Sequence, residues 1–135
     1  MESAIVSVFL VLHALIHAGF VSPRPPMTAG GPAWPFDLAH SWLLSPLGFG
    51  EPSLRIVGVG LLALVVLGYA GAALSTLGTV PAAWFAPTVL VATVASIGML
   101  AVFFHPWLFL GFAIDGVLLW ATLVANWRPS ALSLG

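Results

Sequence analysis

Four long apolar runs organise the 135 residues, separated by one long and two short polar or proline-containing breaks. The runs cover residues 4–21, 54–77, 82–104 and 107–127. Each approaches or exceeds the roughly 20 apolar residues that carry an α-helix through the hydrocarbon core of a bilayer. The pattern predicts four spanning helices and one transmembrane domain over 1–135. The expected fold is all-α, an integral membrane four-helix bundle.

The breaks sharpen the boundaries. Ser22-Pro23-Arg24-Pro25-Pro26 stops the first run and opens a loop, 22–53, that is long enough to be folded on itself or functional. Within it, Pro35 to Leu44 predicts a short interfacial helix, because Pro suits a first helical turn and Asp37 suits the positive end of the helix dipole. Gly78-Thr79-Val80-Pro81 separates spans two and three. His105 precedes Pro106, which pushes it out of the α region and ends span three. Trp84, Trp107 and Trp127 fall at span ends, where an amphipathic indole sits best. Small residues four apart in span two, Gly68/Ala72 and Gly71/Ser75, admit a closely packed helix. A secretory signal peptide is the competing reading of the first run. Glu2 in place of a basic residue, and two histidines in the apolar stretch, speak against it.

Composition narrows the class. With 61% hydrophobic and 5% charged residues and a mean hydropathy of +1.14, the chain is neither an ordinary soluble domain nor a disordered segment. Three Arg, no Lys and a formal net charge of −1 offer no basic surface, so no nucleic acid is expected as a partner. Membrane lipids are. The absence of Cys removes disulfides, thiolate metal sites and cysteine-ligated clusters. Arg24 and Arg55 flank the long loop and Arg128 lies on the opposite side, nearly a tie by the positive-inside rule. The orientation adopted places both termini in the cytoplasm and the loop outside.

The ionisable residues cluster. At 1.5 Å per residue, His17 lies about 6 Å and His13 about 12 Å below the loop end of span one, Asp115 lies about 12 Å below the same end of span four, and His105 marks the turn at that end. Such groups in hydrocarbon default to the bundle interior. His13 and His17, spaced i and i+4, share a helix face and suit one metal ion, with Asp115 as third ligand or as hydrogen-bond partner of a ligating imidazole. His105 or His40 is the candidate fourth ligand. A His–Asp hydrogen bond between the first and fourth helices would by itself satisfy both groups and fix their packing, with no metal and no chemistry, and is the preferred reading over a metal or cofactor site; a proton or substrate path is the remaining alternative. For haem, two histidines on one face cannot be trans axial ligands, so one of them would pair with His105. Asp37 and His40 read as a capped interfacial helix. No GxSxG, Walker loop or HExxH is present.

Leu12-His13-Ala14-Leu15-Ile16-His17-Ala18-Gly19-Phe20, with Leu54-Arg55-Ile56-Val57-Gly58 and Gly111-Phe112-Ala113-Ile114-Asp115-Gly116-Val117-Leu118-Leu119, resembles the signatures of uncharacterised small bacterial four-span membrane proteins, sometimes labelled permease-like. In that pattern Gly and Phe come one residue later after the second His, and the loop after span one is shorter. The resemblance implies a four-span fold and a bacterial cytoplasmic membrane, and it supplies no reaction.

Four short helices enclose little volume, and little protrudes into water. The functional expectation is therefore a non-catalytic accessory or structural subunit of a larger membrane complex, with other membrane subunits as partners. The alternatives are a membrane protein binding a transition metal ion or haem, as an oxidoreductase component, through His13, His17, Asp115 and His105, and a small transporter. Inverted repeats and broken central helices, which mark many transporters, are not visible.

Overall fold

The computed structural model describes residues 1–23, 26, 29–31 and 34–129. Arg24 and Pro25, which entered the reading of the loop and of orientation, lie outside the described residues. All described regular structure is helical: α1 Glu2–His17, α2 Glu51–Thr76, α3 Phe85–Val102 and α4 Phe109–Leu123. Single 3₁₀ turns extend α1 through Val21 and precede α3 and α4. Together with these turns, all four helices are long and apolar enough to cross a membrane.

Three helix ends follow from local chemistry. Pro52 sits in the first turn of α2, where a missing N–H costs little, and Gly50 precedes it in an extended conformation. Gly78, with φ +73, ends the turn after α2 in the left-handed region open to glycine. The fourth helix stops at Leu123, four residues before the expected end. Asn126 adopts φ 47, a left-handed position that Asn tolerates better than most residues. The chain then turns back, so that Trp127 N–H donates to Ala121 O and its ring meets Phe85 edge-on at 6.0 Å.

Packing runs in chain order: α1 against α2, α2 against α3, α3 against α4. A buried core of Leu10, Ala14, Val65, Tyr69, Ala72, Val89 and Ala92 joins the first three helices. The small-residue face of α2 is consumed here. A Cβ on Gly68 would lie 2.8 Å from Ala92 Cβ and 2.9 Å from Thr88 O, and one on Gly71 would lie 3.2 Å from Thr88 Cγ2. Close approach therefore serves α3 of the same chain. Between α1 and α4 the backbones hardly meet. Their seam is an apolar groove of about 560 Å³ bounded by Phe9, Leu10, Val117, Leu118, Ala121 and Trp127, and α4 is the least buried of the four helices.

The short helix expected over Pro35–Leu44 does not form; only turns and a 3₁₀ segment at Ser45–Leu47 are present. Asp37 Oδ1 accepts the Ala39 N–H at 2.8 Å, a local bond that competes with the helical ladder. Side chains then fasten the segment to the bundle. Leu38 sits over Gly58, where a Cβ would come within 2.5 Å of it, and Phe36 packs edge-on against Phe20. Ser41 Oγ donates to Val102 O at 2.5 Å and the Trp42 indole N–H to Ala101 O at 2.7 Å. The loop thus satisfies carbonyls that the C-terminus of α3 leaves without intrahelical partners. Ser41 Oγ also accepts from the Leu43 and Leu44 N–H groups. Replacing Ser41 by Ala is expected to cost about 1 kcal/mol and to speed proteolytic cutting between residues 34 and 50 without changing helix content. Unchanged cutting kinetics would show that the hydroxyl does not hold the loop.

Candidate functional site: a buried imidazole–carboxylate network

All four helices send polar side chains to one point. His13 and His17 come from one face of α1, with ring centroids 5.0 Å apart. Tyr69 comes from α2, Thr93 and Ser96 from one face of α3, and Asp115 from α4. Asp115 is fully buried; His13 and His17 are 3% and 2% exposed. Ionisable groups removed from water this completely must be partnered, and the partners are explicit. Asp115 Oδ1 accepts from His13 Nε2 at 3.0 Å and from the Tyr69 hydroxyl at 2.9 Å. Its Oδ2 lies 2.5 Å from Ser96 Oγ, which in turn lies 2.7 Å from His17 Nε2. His17 Nδ1 is 3.1 Å from the His13 carbonyl, and Tyr69 Oη is 3.1 Å from Thr93 Oγ1.

No family model, curated protein or solved structure matches this chain. What the site can do must therefore be read from its atoms.

Counting donors and acceptors constrains the protons. A carbonyl only accepts, so His17 Nδ1 carries a hydrogen. Ser96 has one hydroxyl hydrogen and two short contacts, to His17 Nε2 and to Asp115 Oδ2. With a bare carboxylate and a neutral His17, one of these contacts would press two lone pairs together. Both close when the group holds one further proton. With that proton on His17 Nε2, the imidazolium donates to Ser96 and Ser96 donates to Asp115. With it on Asp115 Oδ2, the carboxyl donates to Ser96 and Ser96 donates to His17. A shift of two hydrogens along the Ser96 hydroxyl interconverts the two arrangements, and heavy atoms need not move.

His13, His17 and Asp115 are brought together: one ligand-capable atom from each lies within 4.8 Å of the others. Both nitrogens of His17 and both oxygens of Asp115 already have protein partners, so an ion among the three would have to displace those bonds. His105 is not in the group. It lies in the connection between α3 and α4, where its Nδ1 accepts the Trp107 N–H at 3.3 Å and caps the following 3₁₀ turn. His40 is exposed in the loop. Neither completes a four-ligand set. The cavity beside His13 and His17 holds about 130 Å³, below the roughly 300–1,000 Å³ of ordinary ligand pockets, and too small for a haem macrocycle without rearrangement.

Tyr69, Thr93 and Ser96 were not among the sequence candidates. A hydroxyl in an apolar helix reads as packing, because Ser and Thr are common at helix–helix contacts. One signal was present: Tyr69 is the chain's single tyrosine, and it sits in mid-span rather than at an end.

A second polar cluster, Ser7, Thr76 and the Ala73 carbonyl, joins α1 to α2 at the opposite end of the bundle. Leu10, Ala72 and Val89, all buried, separate it from the network. From Tyr69 to Thr76 the step is seven residues, about 10 Å along α2.

Proposed function

We propose that this chain is an integral membrane four-helix bundle whose His17–Ser96–Asp115 chain holds one exchangeable proton in a single leaflet, and that it serves a larger membrane system as a small proton-handling protein. The observation that carries this reading is the Ser96 hydroxyl, placed 2.7 Å from an imidazole nitrogen and 2.5 Å from a carboxylate oxygen with one hydrogen to give. A His–Asp bond that merely fixed α1 on α4 would need only His13 and Asp115. Chains of this kind move protons by hydrogen-bond exchange, a familiar role of intramembrane Asp and His. The apolar break at Leu10, Ala72 and Val89 argues for exchange with one face or with a bound molecule, and against conduction through the bilayer. The signature resemblance supports a bacterial cytoplasmic membrane, and the arginine distribution is the basis for placing both termini inside.

The test is nitrogen NMR of labelled histidine together with infrared spectroscopy of labelled aspartate, on the protein in lipid nanodiscs near neutral pH. The expected result is one shared proton, seen as a doubly protonated His17, a protonated Asp115 carboxyl or both in exchange. Ser96→Ala should uncouple the two signals. A singly protonated His17 beside a fully ionised Asp115 would refute the reading.

An accessory-subunit role without proton chemistry is the second reading, favoured by the sparse burial of α4 and the open seam between α1 and α4. The small-residue face of α2, which suggested helix partners, is already occupied by α3. A stable partner-free monomer in mild detergent would count against this role and leave the proton reading intact.

A further inference from the structure

The network meets different walls on its two sides. Toward the far end of the bundle, Leu10, Ala72 and Val89 close the core. The apolar seam of about 560 Å³ between α1 and α4 is lined by Phe9, whose ring stacks on the His13 imidazole at 6.1 Å. Toward the loop lies a cavity of about 130 Å³, with His13 and His17 on one side and Phe20, Phe36 and Leu108 among its other walls. His13 offers it no free polar atom: Nε2 is spent on Asp115, and Nδ1 is buried without a partner. Any exchange through this cavity therefore starts at His17, the last residue of α1.

Both nitrogens of His17 are hydrogen-bonded within the protein, and the remaining walls are apolar. A single water in the cavity thus lacks the two to four polar partners that hold buried water. On the outer side Ile16 and Leu110 are exposed to the apolar band, which carries no water in. Among the described lining residues, Phe36 alone belongs neither to a helix nor to a 3₁₀ turn continuous with one. Its half-buried ring meets Phe20 edge-on at 5.2 Å and Trp34 at 5.4 Å. Glycine at position 19 makes the seat, since a Cβ there would lie 3.0 Å from the Phe36 ring. Two residues on, Leu38 is buried over Gly58. The ring can therefore swing about its own side-chain bonds while the strap stays anchored.

We infer that Phe36 is the gate through which the network exchanges protons with water on the loop side. Seated, it keeps the cavity dry; swung out, it admits a file of water to His17. The gate rests on the proton-handling reading and names its exchange face, yet it is read on a hydrogen that is present whether or not a further proton is shared, the one His17 Nδ1 holds toward the His13 carbonyl. Each exchange gives that hydrogen to water and takes one back.

The experiment places the full chain, labelled with nitrogen-15 histidine, in nanodiscs, transfers it to heavy water and follows loss of the His17 Nδ1–H signal. Phe36→Ala is expected to speed the loss at least about tenfold, because the aromatic contacts no longer oppose local opening. Gly19→Ala, which keeps every aromatic side chain and only lifts the ring from its seat, should act in the same direction and less. Phe9→Ala, the same deletion on the opposite wall, should leave the rate unchanged, and the backbone amides of α2 should exchange as in wild type in all three variants. An unchanged rate in Phe36→Ala and Gly19→Ala, equal acceleration by Phe9→Ala, or acceleration that the α2 amides follow in step would each overturn the gate. A gated hydrogen beside a singly protonated His17 and a fully ionised Asp115 would instead overturn only the shared proton.

Discussion

Asp115→Asn is expected to fold close to wild type, whereas Asp115→Leu loses about 3 kcal/mol. The carboxylate receives three donors, from His13, Tyr69 and Ser96, and Leu removes every acceptor at once. Intramembrane hydrogen bonds average about 0.6 kcal/mol and reach about 1.7. Three of them contribute about 2 kcal/mol, and stranding their donors in an apolar interior adds to the loss. Asn reproduces one of the two proton arrangements: its carbonyl accepts from His13 and Tyr69, its amide donates to Ser96, and Ser96 donates to His17. It thereby keeps the packing and removes the exchange. Equilibrium unfolding in mixed micelles measures the stability difference, and the His17 nitrogen spectrum measures the lost exchange. Equal stability of the Leu variant and wild type would mean that the network does not hold α4 in place.

Gly68→Ala should be the most damaging single-methyl change in the bundle, costing about 1–3 kcal/mol as overpacking. The new Cβ would meet Ala92 Cβ at 2.8 Å and the Thr88 carbonyl at 2.9 Å. One of those atoms is α3 backbone, so relief requires α2 and α3 to move apart. Gly60 is the control on the same helix: a Cβ there meets nothing within 4 Å, and Ala should stabilise by up to about 1 kcal/mol through helix propensity. The two variants are then separated by several kcal/mol in the same unfolding assay. A neutral Gly68→Ala would show that the α2–α3 contact is looser than these distances.

Part of the site was legible in the chain and part was not, for definite reasons. The histidine pair was visible because i and i+4 share a helix face whatever the tertiary fold. Asp115 was visible because equal depth from one end of the bundle follows from a fixed rise per residue. Ser96, Thr93 and Tyr69 escaped because a hydroxyl in an apolar helix carries no spacing that separates a hydrogen-bonding role from a packing role. The loop misled for a related reason: Pro35 and Asp37 carry helix-start chemistry, yet the Asp37 carboxylate turned to the Ala39 N–H, while Ser41 and Trp42 found the end of α3. His105 sat at the right end of the bundle and still went to a local cap, since it lies in the connection between α3 and α4 and depth says nothing about which way a side chain there turns.

The sequence by itself determined the four apolar helices, their ends to within a few residues and the band in which the imidazoles and the carboxylate lie, because hydropathy, proline and helical rise act locally. Only the tertiary structure decided which side chains touch: that α3 fills the glycine face of α2, that Ser96 stands between His17 and Asp115, and that one nitrogen of His13 is left without a partner. Those outcomes depend on how the helices are rotated against one another. That rotation is set by the packing of all four together and is written in no single stretch of the chain.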